Sequence, residues 1–123
     1  MVESYKDLKV WQKGMEIAAD CYRLTKPFPS DERFGMTSQI RRSACSIPAN
    51  MAEGYGRESR GDYIHFLRIS QGSLKELETH LMLATKVGIT SPKSTTPLLT
   101  RCDELGKMLR ALIRALQAKG KSK

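Results

Sequence analysis

Apolar residues recur at helical spacing in four separate stretches of the chain, and no stretch alternates as a half-buried strand would. The first stretch runs from about residue 5 to 26. Leu8, Trp11, Met15, Ala18, Ala19 and Tyr22 form one stripe, and Pro27-Phe28-Pro29 ends it because proline cannot continue a helical ladder. The second, from about 31 to 55, starts at Ser30 as N-cap, with Asp31 and Glu32 in the first turn where the helix dipole favours negative charge. Ile40, Ala44, Ile47 and Met51 keep one register straight through Pro48. The spacing therefore predicts a single helix kinked at that proline and stopping near Gly54 to Gly56.

Ser59 and Asp62 stand at capping-box spacing, with Asp in place of the usual Glu or Gln, and open a third helix over about 60–87. Tyr63, Phe66, Leu67, Leu74, Leu77, Leu81 and Ala84 carry its stripe, and Gly88 suits its C-terminal cap. Ile89 to Thr95 reads as a loop. Thr96-Pro97 reads as N-cap and first residue of a fourth helix over about 97–118, with Leu98, Cys102, Leu105, Leu109, Leu112 and Leu116 on one side and a basic tail at 119–123. Short connections between long helices imply antiparallel neighbours. The expected architecture is all-α: an up-down antiparallel four-helix bundle forming one domain over 1–123.

Two of these helices carry more apolar surface than a lone bundle needs. At about 100° per residue, the apolar residues of the fourth helix span roughly half its circumference, from Met108 round to Leu99. The third adds Ile64 and Met82 on one flank and Ile69, Leu83 and Val87 on the other. Such excess points to self-association, so the first expected partner is another copy of the chain.

Composition narrows the partners further. Lysine and arginine number 21 against 13 acids, a net charge of +8, which favours acidic partners: RNA, DNA or an acidic protein. No apolar run approaches a membrane span, and Met1 to Val10 contains no signal-peptide core, so the expected setting is cytoplasmic with no membrane partner. Cys21, Cys45 and Cys102 are odd in number and widely separated, which fits reduced structural thiols better than disulfides or a zinc site.

Catalytic chemistry finds no support. The phosphate-loop and nucleophile-elbow motifs are absent, Gly54-Tyr55-Gly56 lacks the third glycine of a dinucleotide site, and Glu76 with His80 is a lone pair on one helix face. No enzyme activity, metal or cofactor is expected. The cations say more. Lys107, Arg110 and Arg114 share one face of the fourth helix with Asp103, and Lys119, Lys121 and Lys123 extend its positive end. Arg41 and Arg42 on the second helix and Arg57, Arg60 and Arg68 near the start of the third are further cations. The candidate nucleic-acid contacts are Arg41, Lys107, Arg110, Arg114 and Lys119, acting on phosphates and so tolerant of sequence. No aromatic residue lies on the fourth helix to stack a base.

The stretch from Gln39 through Ser46-Ile47-Pro48-Ala49-Asn50 to Ala52-Glu53-Gly54 is distinctive. Together with Asp7-Leu8-Lys9-Val10-Trp11 and Gly72-Ser73-Leu74-Lys75-Glu76-Leu77-Glu78, it resembles the 23S rRNA intervening-sequence proteins over about residues 5–116. Met51 stands where that family more often has an aliphatic residue. The resemblance implies a four-helix bundle assembling as a homopentamer. It also implies kinship with the accessory variability proteins of diversity-generating retroelements, which are basic pentamers that bind nucleic acid and a reverse transcriptase. The motif residues read as structural or interface-forming. Pro48 frees the carbonyl of Ala44, and Ser46 and Asn50 serve backbone groups near it. Gln39, Arg42, Glu53 and Glu76 are expected to form a polar network between helices, with Arg42 held by Glu53 or Glu76. Gly54 ends the helix, and Gly72 and Ser73 allow close backbone approach.

Overall fold

The computed structural model describes residues 2–121, and over these the chain forms four α-helices and no strand: α1 (Lys9–Thr25), α2 (Met36–Tyr55), α3 (Arg60–Lys86) and α4 (Pro92–Lys121). Short 3-10 turns at Tyr5–Asp7 and Ser30–Glu32 precede α1 and α2. These turns occupy what the periodicity assigns to the first turns of the helices. Ser4 caps the first of them, with Asp7 returning the bond. Ser30 does not cap α2; instead Oε1 of Glu32 accepts from the backbone N–H of Met36 at 3.0 Å.

α4 departs most from the sequence reading. It begins at Pro92, a turn before Thr96-Pro97, and Pro97 lies inside it. Ser91 holds the start, its carbonyl accepting from the backbone N–H groups of Ser94 and Thr95 at 3.1 Å. Pro92 then takes the first helical position, which needs no N–H. The loop expected over 89–95 is thus largely helix.

Other punctuation follows the sequence. Ser59 caps α3, its Oγ accepting from the N–H of Asp62 at 3.0 Å. At the far end Ile89 donates to the carbonyl of Ala84 and Gly88 to that of Thr85, with Gly88 at φ 82°, the left-handed conformation glycine adopts without strain.

α1 packs on α2 and α4, and α3 packs on α2 and α4, so the helices occupy the corners of a square in chain order. The core draws on all four: Ile17 and Cys21, Ile40, Ile47 and Met51, Leu67, Leu74, Leu77 and Leu81, and Leu105 and Leu109 are at most 1% exposed. α2 and α3 approach closely at Gly54, where an added Cβ would sit 2.7 Å from Cβ of Phe66. The broad apolar arc of α4 is absorbed internally, since Leu99, Met108, Leu112 and Leu116 pack against the core. The excess on α3 is not: Ile69, Met82, Leu83 and Val87 remain exposed.

Candidate nucleic-acid interface

α3 and α4 run side by side, and the groove between them gathers cations from both. One stretch, about 320 Å³, is lined by Arg68, Gln71, Arg110, Ile113, Arg114 and Gln117. A second, about 270 Å³, shares Gln71 and Arg110 and adds Lys75 and Gly106. No carboxylate lines either stretch. Arg68, Arg110 and Arg114 are exposed and have no ion-pair partner among the described residues. Lys75 is held by Glu78 at 3.0 Å.

The remaining candidate cations fall elsewhere. Lys107 pairs with Asp103 at 3.3 Å, which lowers its net charge toward a phosphate. Lys119 is exposed near the C-terminal end of α4. The side chain of Lys121, and all of Lys123, lie outside what is described. Arg41 belongs to a different face: its Nε donates to Oγ1 of Thr25 at 2.8 Å, and its guanidinium lies 4.5 Å from the ring centroid of Tyr22. Arg57 is taken up by Glu53 at 2.9 Å and by the face of Phe66 at 4.9 Å.

The motif on α2 divides in two. Its inner residues bind α2 to α3: Oγ of Ser46 and Oγ of Ser73 lie 2.8 Å apart, Nδ2 of Asn50 donates to the carbonyl of Ser46 at 2.8 Å and to its Oγ at 2.9 Å, and Ser70 donates to the carbonyl of Ile47 at 2.8 Å. Pro48 is buried within α2, and Gly14 of α1 lies close enough that an added Cβ would meet it at 3.5 Å. The outer residues do not behave as expected. Gln39, Arg42, Glu53 and Glu76 are all exposed and form no network between helices among the described residues; Glu53 is taken by Arg57 instead. The helical spacing that aligns them points them outward rather than across the α2–α3 seam. Gly72 is likewise exposed, with nothing within 4 Å of where a Cβ would sit, so only Ser73 of that pair serves a close contact.

A feature absent from the sequence reading lies between α1 and α2. Tyr5, Trp11, Met15, Ala18, Ala19, Tyr22, Cys45, Pro48, Ala49 and Ala52 line an open apolar groove of about 440 Å³ with no charged side chain in its lining. Alanines recess its floor, and Tyr5 and Trp11, ring centroids 5.3 Å apart edge-to-face, wall one end. Cys45 is exposed, its Sγ lies 3.7 Å from the Tyr22 hydroxyl, and this contact raises the pKa of Tyr22. Cys21 and Cys102 are buried, and burial pushes both thiols up to about 12. No group of three or more His, Cys, Asp or Glu is placed to hold a metal among the described residues, and no helix there is long and apolar enough to cross a membrane.

Comparison with known proteins now bears on this arrangement. The family model described as 23S rRNA-intervening sequence protein matches residues 6–111. The chain belongs to that family. A solved relative from Bacteroides thetaiotaomicron VPI-5482, described as a protein with unknown function from the S23 ribosomal protein family, superposes with a TM-score of 0.76 at 28% identity. The match covers 85% of this chain and 97% of the relative. Comparison with curated proteins returned no match. Membership accounts for the helical bundle and for the Ser46–Gly54 motif, while the relative's printed description assigns no activity.

Proposed function

We propose that this 23S rRNA-intervening sequence protein is a non-enzymatic, basic homo-oligomer, a pentamer, that binds nucleic acid, RNA in preference, through electrostatic contacts to the backbone. The observation that carries the reading is the α3–α4 groove, where Arg68, Arg110 and Arg114 meet with no carboxylate lining and no ion-pair partner among the described residues. Unpaired guanidiniums displace the counterions condensed on nucleic-acid phosphates, and release of those ions drives binding. Gln71 and Gln117 in the same groove offer amide donors and acceptors for sugar or phosphate oxygens. The aromatic rings of Tyr5, Trp11 and Tyr22 lie in the separate α1–α2 groove, so contacts here position a strand without reading its bases.

The net charge of +8 supports the same reading, as does the kinship with accessory variability proteins that the family resemblance implies. Repeating the groove around a ring would turn several weak sites into one avid surface. Fluorescence anisotropy with unrelated RNA and DNA oligomers over a salt series tests it. Binding that weakens steeply with salt and differs little among sequences is expected. Absence of binding to every oligomer at low salt would transfer the positive groove to an acidic protein partner.

A further inference from the structure

The outward motif residues and the apolar groove on α2 call for an explanation that a single copy does not supply. Arg42 and Glu76 are exposed and have no ion-pair partner among the described residues. Ile69, Leu83 and Val87 are 38%, 43% and 60% exposed. At helical spacing, Ile69, Glu76, Leu83 and Val87 share the flank of α3 next to Ser73, which bonds α2. This flank is an apolar stripe that also carries Glu76 and, four residues on, His80. The α1–α2 groove is the converse: an apolar trough with a cation at its mouth, where Arg41 lies over Tyr22 of the lining.

We infer that the exposed flank of α3 in one copy docks into the α1–α2 groove of the next. This rests on the homo-oligomer reading above and says which surfaces make the ring. Two observations favour a second copy over another occupant. The first is charge: Glu76, on a flank it shares with Ile69, Leu83, Val87 and His80, offers an acid to Arg41 at the groove, so two +8 chains meet where an acid faces a cation. The second is topology. The groove faces the α1–α2 side and the stripe lies on the α2–α3 side, two adjacent sides of the square that share α2. A head-to-tail contact between unlike surfaces on adjacent sides turns each copy relative to the last, as a closed ring requires, whereas surfaces on opposite sides add copies without that turn. The basic α3–α4 groove stays uncovered in such a ring.

The test uses two variants of the full chain. Met15→Glu places a charge in the groove, and Leu83→Glu places one on the stripe; both positions are about half exposed, so each variant folds, as far-UV circular dichroism will confirm. Light scattering coupled to gel filtration is expected to give the 13.8 kDa monomer for either variant alone. Mixed in equal amounts at high micromolar concentration, they are expected to pair. The intact groove of Leu83→Glu accepts the intact stripe of Met15→Glu, giving a dimer of twice that mass and nothing larger. Wild-type mass retained by either variant, or a mixture that stays monomeric, overturns the inference while leaving the oligomer reading standing. A monomeric wild-type protein removes both.

Discussion

The groove between α1 and α2 and the groove between α3 and α4 are comparable in size and opposite in chemistry. The first is walled by Trp11, Met15 and Tyr22 and floored by alanines, with no charge in its lining. The second holds Arg68, Arg110 and Arg114 with glutamines between them and no carboxylate. They lie on opposite sides of the square, since α1–α2 and α3–α4 are its two non-adjacent edges. The contrast shows how a basic chain can self-associate. The lining of the first groove carries no charge, so apolar contact there is not opposed by like charges within it, while Arg41 stands at its edge over Tyr22.

Separating the two sides by mutation should have unequal effects. The largest is expected from Met15→Glu, which touches only the apolar side. Loss of the ring removes avidity, so affinity for a long RNA should fall by about 10²-fold or more, although every arginine of the basic groove is intact. For an oligomer short enough to occupy one groove, affinity should barely change. Anisotropy with RNAs of increasing length measures both. Equal losses at all lengths would mean that the two sides are not independent.

A middle-sized effect is expected at the seam joining the two halves. Gly54→Ala drives a Cβ to 2.7 Å from Cβ of Phe66, an atom that moves only with its helix. Overpacking of this kind costs about 1–3 kcal/mol, to be read from urea unfolding of the monomeric Met15→Glu protein to keep assembly out of the comparison. An unchanged midpoint would show that α2 and α3 can separate there freely.

The smallest effect concerns the thiols. Cys45 lies in the apolar groove, whereas Cys21 and Cys102 are fully buried. A thiol-exchange reagent should label Cys45 rapidly in the Met15→Glu monomer and more slowly in the wild-type assembly. Cys21 and Cys102 should stay unreactive in both. Burial raises their folded pKa from 9.0 to about 12, so the unfolded chain ionises first. The stability they contribute is complete below pH 9 and is lost as pH rises from there toward 12. A denaturation midpoint that declines over that window, and declines less when both are replaced by Ala, is the expected pattern.

Much of the fold was legible in the sequence because it rests on periodicity and local caps. The stripe through Pro48, the Ser59 cap and the Gly88 terminus each involve residues a few positions apart, where helical geometry leaves little choice. The start of α4 was less legible: Ser91-Pro92 and Thr96-Pro97 offer the same N-terminal signal, and packing of Thr95 and Leu98 into the bundle chose the earlier one. The candidate site was legible by halves. Arg110 and Arg114 follow from the face of one helix. Their meeting with Arg68 depends on the register between α3 and α4, which no spacing within one helix contains. The pairing of Lys107 with Asp103 could have been anticipated, since residues four apart on a helix are neighbours. The α1–α2 groove left only a faint trace: Ala18 and Ala19 on one helix and Ala49 and Ala52 on the other, small residues that become a trough once the helices are juxtaposed.

The division between an apolar assembling side and a basic binding side is tested most directly by the salt dependence of RNA binding after Arg68, Arg110 and Arg114 are all replaced by Gln. If three phosphates are neutralised in each groove, the wild-type log–log slope should be about −2 per engaged protomer on a single strand. The triple variant should lose most of that slope, weaken every sequence alike and keep the wild-type mass by light scattering. A triple variant that binds with the wild-type slope would place the nucleic-acid contacts elsewhere, and one that falls to monomers would show that the basic groove is part of the assembly.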